Sequence, residues 1–161
     1  MEKPTKQNSL YLTIKQVYFD QIVAGTKTEE YREISPNTYK KYLQCDSDGY
    51  PLIADFIADE ELDFYGPDWI MACKDGKFPF FFRTDIQFLN LAVGYSKVRD
   101  TATVEVTDIT PLIAVGKNGR EMRMDLDAND NFVADPKGRF CMWQAVFHLG
   151  KVVEKNIVSK Q

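Results

Sequence analysis

The chain has 161 residues, 44% of them hydrophobic, with 11 Phe and 8 Tyr. That is enough for one well-filled core and excludes wholesale disorder. Twenty basic residues stand against 24 acidic ones, a net charge of −4. This excludes extended binding along a duplex, where a basic excess supplies much of the affinity. It leaves room for a pocket that takes one nucleotide or a short single strand.

Residues 1–9 are polar and read as a flexible N-terminus, and one domain is expected over 10–157. Residues 1–9 lack the apolar stretch of a signal peptide, and no apolar run approaches the roughly 20 residues needed to span a bilayer. Cys45, Cys73 and Cys141 are far apart and show no C-x-x-C spacing. Reduced thiols in a cytoplasmic protein are therefore expected, rather than a disulfide framework or a zinc site.

In chain order, Leu10 to Ile14 reads as a first strand. Lys15 to Ala24 reads as a short helix, with Tyr18, Phe19, Ile22 and Val23 recurring at helical spacing. Gly25 sits where a helix stops, because a glycine there takes the left-handed conformation without a Cβ clash. The following run, Thr26 to Arg32, suits a strand. Alternation in an extended chain puts Thr28, Glu30 and Arg32 on one face, with Lys27 at the turn into the strand. Ser35-Pro36 looks like an N-cap with proline at the first helical position, predicting a helix through Leu43. Ile53 to Leu62 is a second candidate helix, its Asp55, Asp59, Glu60 and Glu61 read as a solvated face.

Trp69 to Cys73 and Phe78 to Phe82 read as two strands around an Asp-Gly turn, with the phenylalanines as core residues rather than a base-stacking platform. Phe88 to Val93, ending in Gly94-Tyr95, and the alternating run Thr101 to Ile109 are further strands. Two similar turns, Gly116 to Arg120 and Asp135 to Arg139, bracket a hairpin excursion over 112–138. Within it, Asp125-x-Asp127-x-Asn129 resembles the start of an EF-hand loop. The glycine and glutamate that such a loop needs at its sixth and twelfth positions are here Asp130 and Pro136. Arg139 to Val153 forms the last strand.

Gly25-x-Lys27-x-x-Glu30-x-Arg32, with the strand and helix before it, resembles the start of ASCH domains of the PUA-like superfamily. Gly94-Tyr95 followed by a valine-rich strand, and the closing run Phe147 to Val153, add two further likenesses. Together the matches touch residues 10–34, 80–110 and 140–155. The resemblance implies an α+β fold: a PUA-like, mostly antiparallel β-barrel with two or three flanking α-helices. It also implies a partner, RNA or a nucleoside or nucleotide ligand. Some ASCH proteins are amidohydrolases that deacetylate acetylcytidine nucleosides, using the motif lysine, a threonine three residues on and a glutamate from a later strand. Lys27 matches that pattern, but Glu30 occupies the threonine's position and cannot act as a hydroxyl nucleophile. Thr28 and Glu105 are the weaker catalytic candidates.

No Walker-type loop, dinucleotide fingerprint or zinc spacing is present, so no cofactor is expected. The lone histidine, His148, sits in an apolar strand and reads as structural. The expected ligand-binding set is Gly25, Lys27, Glu30, Tyr31, Arg32 and Tyr95. In that reading Lys27 and Arg32 hold a phosphate or a base carbonyl, Glu30 orients them or accepts from an exocyclic amine, and the tyrosines stack. If the protein is an enzyme, Lys27 and Glu30 are the first catalytic candidates. The competing readings are a ribonuclease, or a protein-interaction module in which the motif is only an ion-pair network bracing helix to strand, contributing about 0–1 kcal/mol per exposed pair.

Overall fold

A computed structural model describes residues 2–66, 70–72 and 76–158. The elements in order are β1 (Ser9–Ile14), α1 (Gln16–Ala24), β2 (Glu29–Glu33), two 3₁₀ turns (Tyr39–Lys41 and Asp59–Tyr65), β3 (Phe88–Val93), β4 (Thr101–Ile113), β5 (Arg123–Leu126), β6 (Phe132–Ala134), β7 (Phe140–Cys141) and β8 (Trp143–Asn156). Five strands form one sheet in the order β1-β3-β4-β8-β2, and three form another in the order β6-β5-β7. The fold is a β-rich α+β one. The backbone gathers into two compact units, Met1–Glu30 with Thr84–Ile109 and Phe147–Gln161, and Tyr31–Arg83 with Thr110–Val146.

In the first unit, β1 runs parallel to β3, and β3 runs antiparallel to β4. Leu10, Leu12 and Ile14 alternate into the interior, as the period of two requires, and meet Leu89, Leu91, Ala102 and Val104. Phe19 and Ile22 of α1 are buried, while the neighbouring Val17 and Tyr18 are exposed. Asp100 is buried as well, and both its oxygens have donors: Gln16 Nε2 at 2.9 Å and the Val158 backbone N–H at 2.7 Å. Before β1, the Asn8 amide donates to the Lys3 carbonyl (2.9 Å) and its Oδ1 accepts from the Thr5 N–H (2.7 Å).

The second unit packs around aromatic residues. Phe78 stacks on Phe82 with centroids 4.9 Å apart and meets Trp143 edge-on at 5.0 Å. Phe80 lies edge-on to Phe78 at 5.6 Å. The Trp143 indole N–H donates to the Ala72 carbonyl at 3.1 Å, which satisfies its one polar atom in the interior. The phenylalanine run is therefore core, and only Phe81 among 78–82 has an exposed ring.

Several expectations are corrected. The main sheet is open among the described residues, with β1 and β2 at its ends, whereas a barrel requires the end strands to hydrogen-bond to each other. One α-helix is present among the described residues, not two or three. The segment 35–43 keeps a single 3₁₀ turn because its backbone is used elsewhere. Thr38 Oγ1 donates to the Glu33 carbonyl and accepts from the Ser35 N–H, the local bonding that competes with helix. Leu43 then bridges Phe82, and Ile53 bridges Phe80, which keeps the start of the second candidate helix extended. Phe78 to Phe82 contributes these isolated bridges instead of a strand. In the other half of that expected hairpin Ala72 bridges Phe140, and Trp69 and residues 73–75 lie outside the described residues.

The excursion contains the β5–β6 hairpin. The Asp127 carboxylate accepts the backbone N–H groups of Asn129 (2.8 Å) and Asn131 (3.0 Å), so this acid closes the turn. Asp125 receives the Arg139 guanidinium at 2.7–3.1 Å, the Arg139 backbone N–H at 3.2 Å and the Leu126 N–H at 2.8 Å. The Arg139 side chain is the main cause holding the Asp125 carboxyl well below the usual carboxylate range. Unfolding in acid therefore takes up a proton at Asp125. Its stabilisation is complete above about pH 4, the unfolded carboxyl value, and is lost as pH falls through the lowered folded value. Protection of the Leu126 and Arg139 amides, their exchange relative to the unfolded chain at the same pH, should fall on acidification below about pH 4 in the parent. In Asp125→Asn that protection should already be low near neutrality. An identical acid dependence in both proteins would remove this role from Asp125.

Candidate functional site

Where α1 ends, the chain turns within three residues. Gly25 is left-handed at φ +81, and its N–H reaches the Ile22 carbonyl at 3.1 Å. The N–H groups of Thr26 and Lys27 both donate to the Gln21 carbonyl, at 3.0 and 3.1 Å. The otherwise unsatisfied end of the helix is closed in this way, and Lys27 is fixed directly after it. Thr28 then offers its carbonyl to the Leu149 N–H (2.9 Å), and β2 begins one residue later.

Alternation in β2 starts at Glu29, so Thr28 stands outside the strand and is exposed, not on a strand face with Glu30 and Arg32 as predicted. Glu30 turns inward and is 6% exposed, while Tyr31 turns outward. The Lys27 ammonium lies 3.8 Å from Glu30 Oε1. It also lies 5.5 Å from the centre of the Tyr18 ring, within the range of a cation–π contact. A largely buried carboxylate, a half-buried cation and an aromatic face are thus collected on the turn that leaves α1.

Arg32 is half-buried in the second unit, where its charge acts on Tyr42. Burial raises the Tyr42 hydroxyl pKa, and Arg32 partly offsets that rise. Tyr95 follows the Gly94 turn after β3 and is 88% exposed. Glu105 accepts the Lys151 backbone N–H at 2.9 Å and packs against Gly150, so its carboxylate braces β8. On the other face of β2, Glu29 Oε1 lies 4.0 Å from His148 Nδ1. His148 also receives the Thr107 hydroxyl on its backbone carbonyl.

Sequence reasoning placed Tyr18 among the apolar helix residues and missed its part under Lys27. Its helical spacing from Phe19 and Ile22 carried no sign that the chain would double back over it. Chemically, the arrangement can present ammonium N–H donors beside a carboxylate acceptor and an aromatic face. That set suits a phosphate oxygen or a base carbonyl next to an amine.

No protein-family model, no curated protein and no solved structure matches this chain.

Proposed function

We propose that this protein binds a nucleobase-bearing ligand, single-stranded RNA or a nucleotide, at the Lys27–Glu30 pair, as an ASCH-like member of the PUA-like superfamily would. The observation that carries the reading is the Lys27 ammonium, 3.8 Å from a buried Glu30 carboxylate and above the Tyr18 ring. In this reading a ligand oxygen accepts from Lys27 while Glu30 accepts from an amine on the same ligand. The net charge of −4 fits a compact ligand better than a long phosphate track.

The test replaces Lys27 with methionine, which keeps the apolar stem over Tyr18 and deletes the charge. Binding of a fluorescent hexanucleotide RNA, followed by anisotropy, should weaken at least about tenfold, since a charge-assisted hydrogen bond contributes roughly 1.5–3 kcal/mol. Affinity in the parent should also fall with added salt. Unchanged RNA affinity together with a lowered melting temperature would make the pair a brace and end this reading. Turnover of acetylcytidine by the parent, lost in Lys27→Met, would instead make the site an amidohydrolase centre.

A further inference from the structure

The second face of the first unit's sheet carries a polar row between the buried Phe88 and Ala92. Strand register aligns Tyr11 of β1 with Asn90 of β3, and Asn90 with Thr103 of β4. This row lies opposite Leu10, Leu89 and Val104, which fill the core. Over it is a cavity of about 470 Å³ whose lining includes Tyr11, Asn90, Lys97, Arg99, Glu154 and Lys155. None of these residues belongs to the Lys27 site.

The charged groups in the lining are three cations and one carboxylate, in a chain whose net charge is −4. Arg99 is held in place by its Nη1–H donating to the Gly94 carbonyl at 2.6 Å, which leaves the rest of its fork available. The ammonium groups of Lys97 and Lys155 have no ion-pair partner among the described residues. Asn90 Oδ1 is occupied by the Thr103 hydroxyl at 2.7 Å, so the amide's two N–H donors are what it presents. The Tyr11 ring is 71% exposed on this face and makes no ring contact among the described residues.

Each feature corresponds to a part of one ligand class. Clustered lysine and arginine donors suit a phosphate monoester. An exposed aromatic face suits a stacked base. A fixed amide with open donors suits a base carbonyl or ring nitrogen, and Glu154 suits ribose hydroxyls or an exocyclic amine. The volume falls within the range of small-molecule pockets, about 300–1,000 Å³. We infer that this polar face is a second ligand site that takes a free nucleoside monophosphate, its phosphate on Lys97, Arg99 and Lys155 and its base on Tyr11. The site stands independently of the Lys27 reading, and either can fail without the other.

The experiment titrates AMP, adenosine and inorganic phosphate separately into isotopically labelled full-length protein and follows backbone amide shifts. AMP should move the amides around Tyr11, Asn90, Lys97 and Lys155, and it should bind more tightly than adenosine or phosphate. The exposed double variant Lys97→Ala/Lys155→Ala should bind AMP at least about tenfold more weakly. Tyr11→Ala should weaken AMP about tenfold while leaving inorganic phosphate unaffected, as expected for the loss of one stacking contact. The affinity is read from the shifts at this face alone, because the Lys27 pair is itself proposed to take a nucleotide. The inference is overturned by AMP shifts confined to other surfaces, by undiminished affinity in the double variant, or by adenosine or phosphate matching AMP.

Discussion

Replacing Phe19 with alanine is expected to lower stability by about 3–5 kcal/mol, the usual cost of removing a fully buried phenylalanine. The side chain is wholly excluded from solvent and joins α1 to the sheet beneath it. The loss combines the transfer free energy of the ring with the cavity left behind, which a helix of nine residues anchored at both ends cannot collapse to fill. The adjacent Tyr18 is the internal control, because it is 44% exposed and Tyr18→Ala should cost about 1 kcal/mol or less. Urea denaturation should show a large drop in midpoint for Phe19→Ala at an unchanged slope. A cost below that of Tyr18→Ala would mean that α1 does not pack through Phe19. The end of this helix positions Lys27, so Phe19→Ala should also reduce ligand binding, but only in proportion to the unfolded fraction.

The second large effect is expected at Gly138, where alanine should cost about 3 kcal/mol, the upper part of the usual range for overpacking, or more. A Cβ at this position would fall on the Met124 carbonyl of β5, so backbone rather than a pliable side chain would have to move. The glycine is also pinned from both sides. Its N–H donates to the Asp135 carbonyl at 3.0 Å, and its own carbonyl accepts from Arg123 Nε and Nη2 at 3.2 and 2.9 Å. Gly116, at the matching turn on the other side of the hairpin, is the contrast. A Cβ there would meet the Asn118 side chain at 3.4 Å, so Gly116→Ala should change stability by about 0.5 kcal/mol or less. Thermal melts of the two variants should separate clearly. Equal midpoints would show that the 135–139 turn does not press on β5 as described.

The elements that could be read from the sequence are those decided by local chemistry. Alternation along Leu10 to Ile14 marks a strand with one face in the core, and the apolar run Phe88 to Val93 and the β-branched run Thr101 to Ile109 suit strands by local propensity. The Phe19–Ile22 spacing and Gly25 mark a helix and its end, because both signals lie within one or two turns of chain. The pairing of Lys27 with Glu30 could be read for the same reason, since three residues separate them.

What remained hidden depended on distant segments. Residues 35–43 and 53–62 carry helix-compatible patterns, but Leu43 and Ile53 bridge Phe82 and Phe80, and a backbone committed to a bridge cannot also close a helical turn. Glu105 looks like a free strand carboxylate until β8 brings the Lys151 N–H to it. Tyr18 becomes part of the Lys27 site only because the Gly25 turn folds the chain back over α1. The polar cavity draws on β1, β3, β4 and β8, whose residues run from Tyr11 to Asn156. Composition and short-range period thus marked β1, α1, β3 and β4 and the start of the motif. Strand order decided which side chains share a surface, because hydrogen-bonded neighbours in a sheet need not be neighbours in the chain.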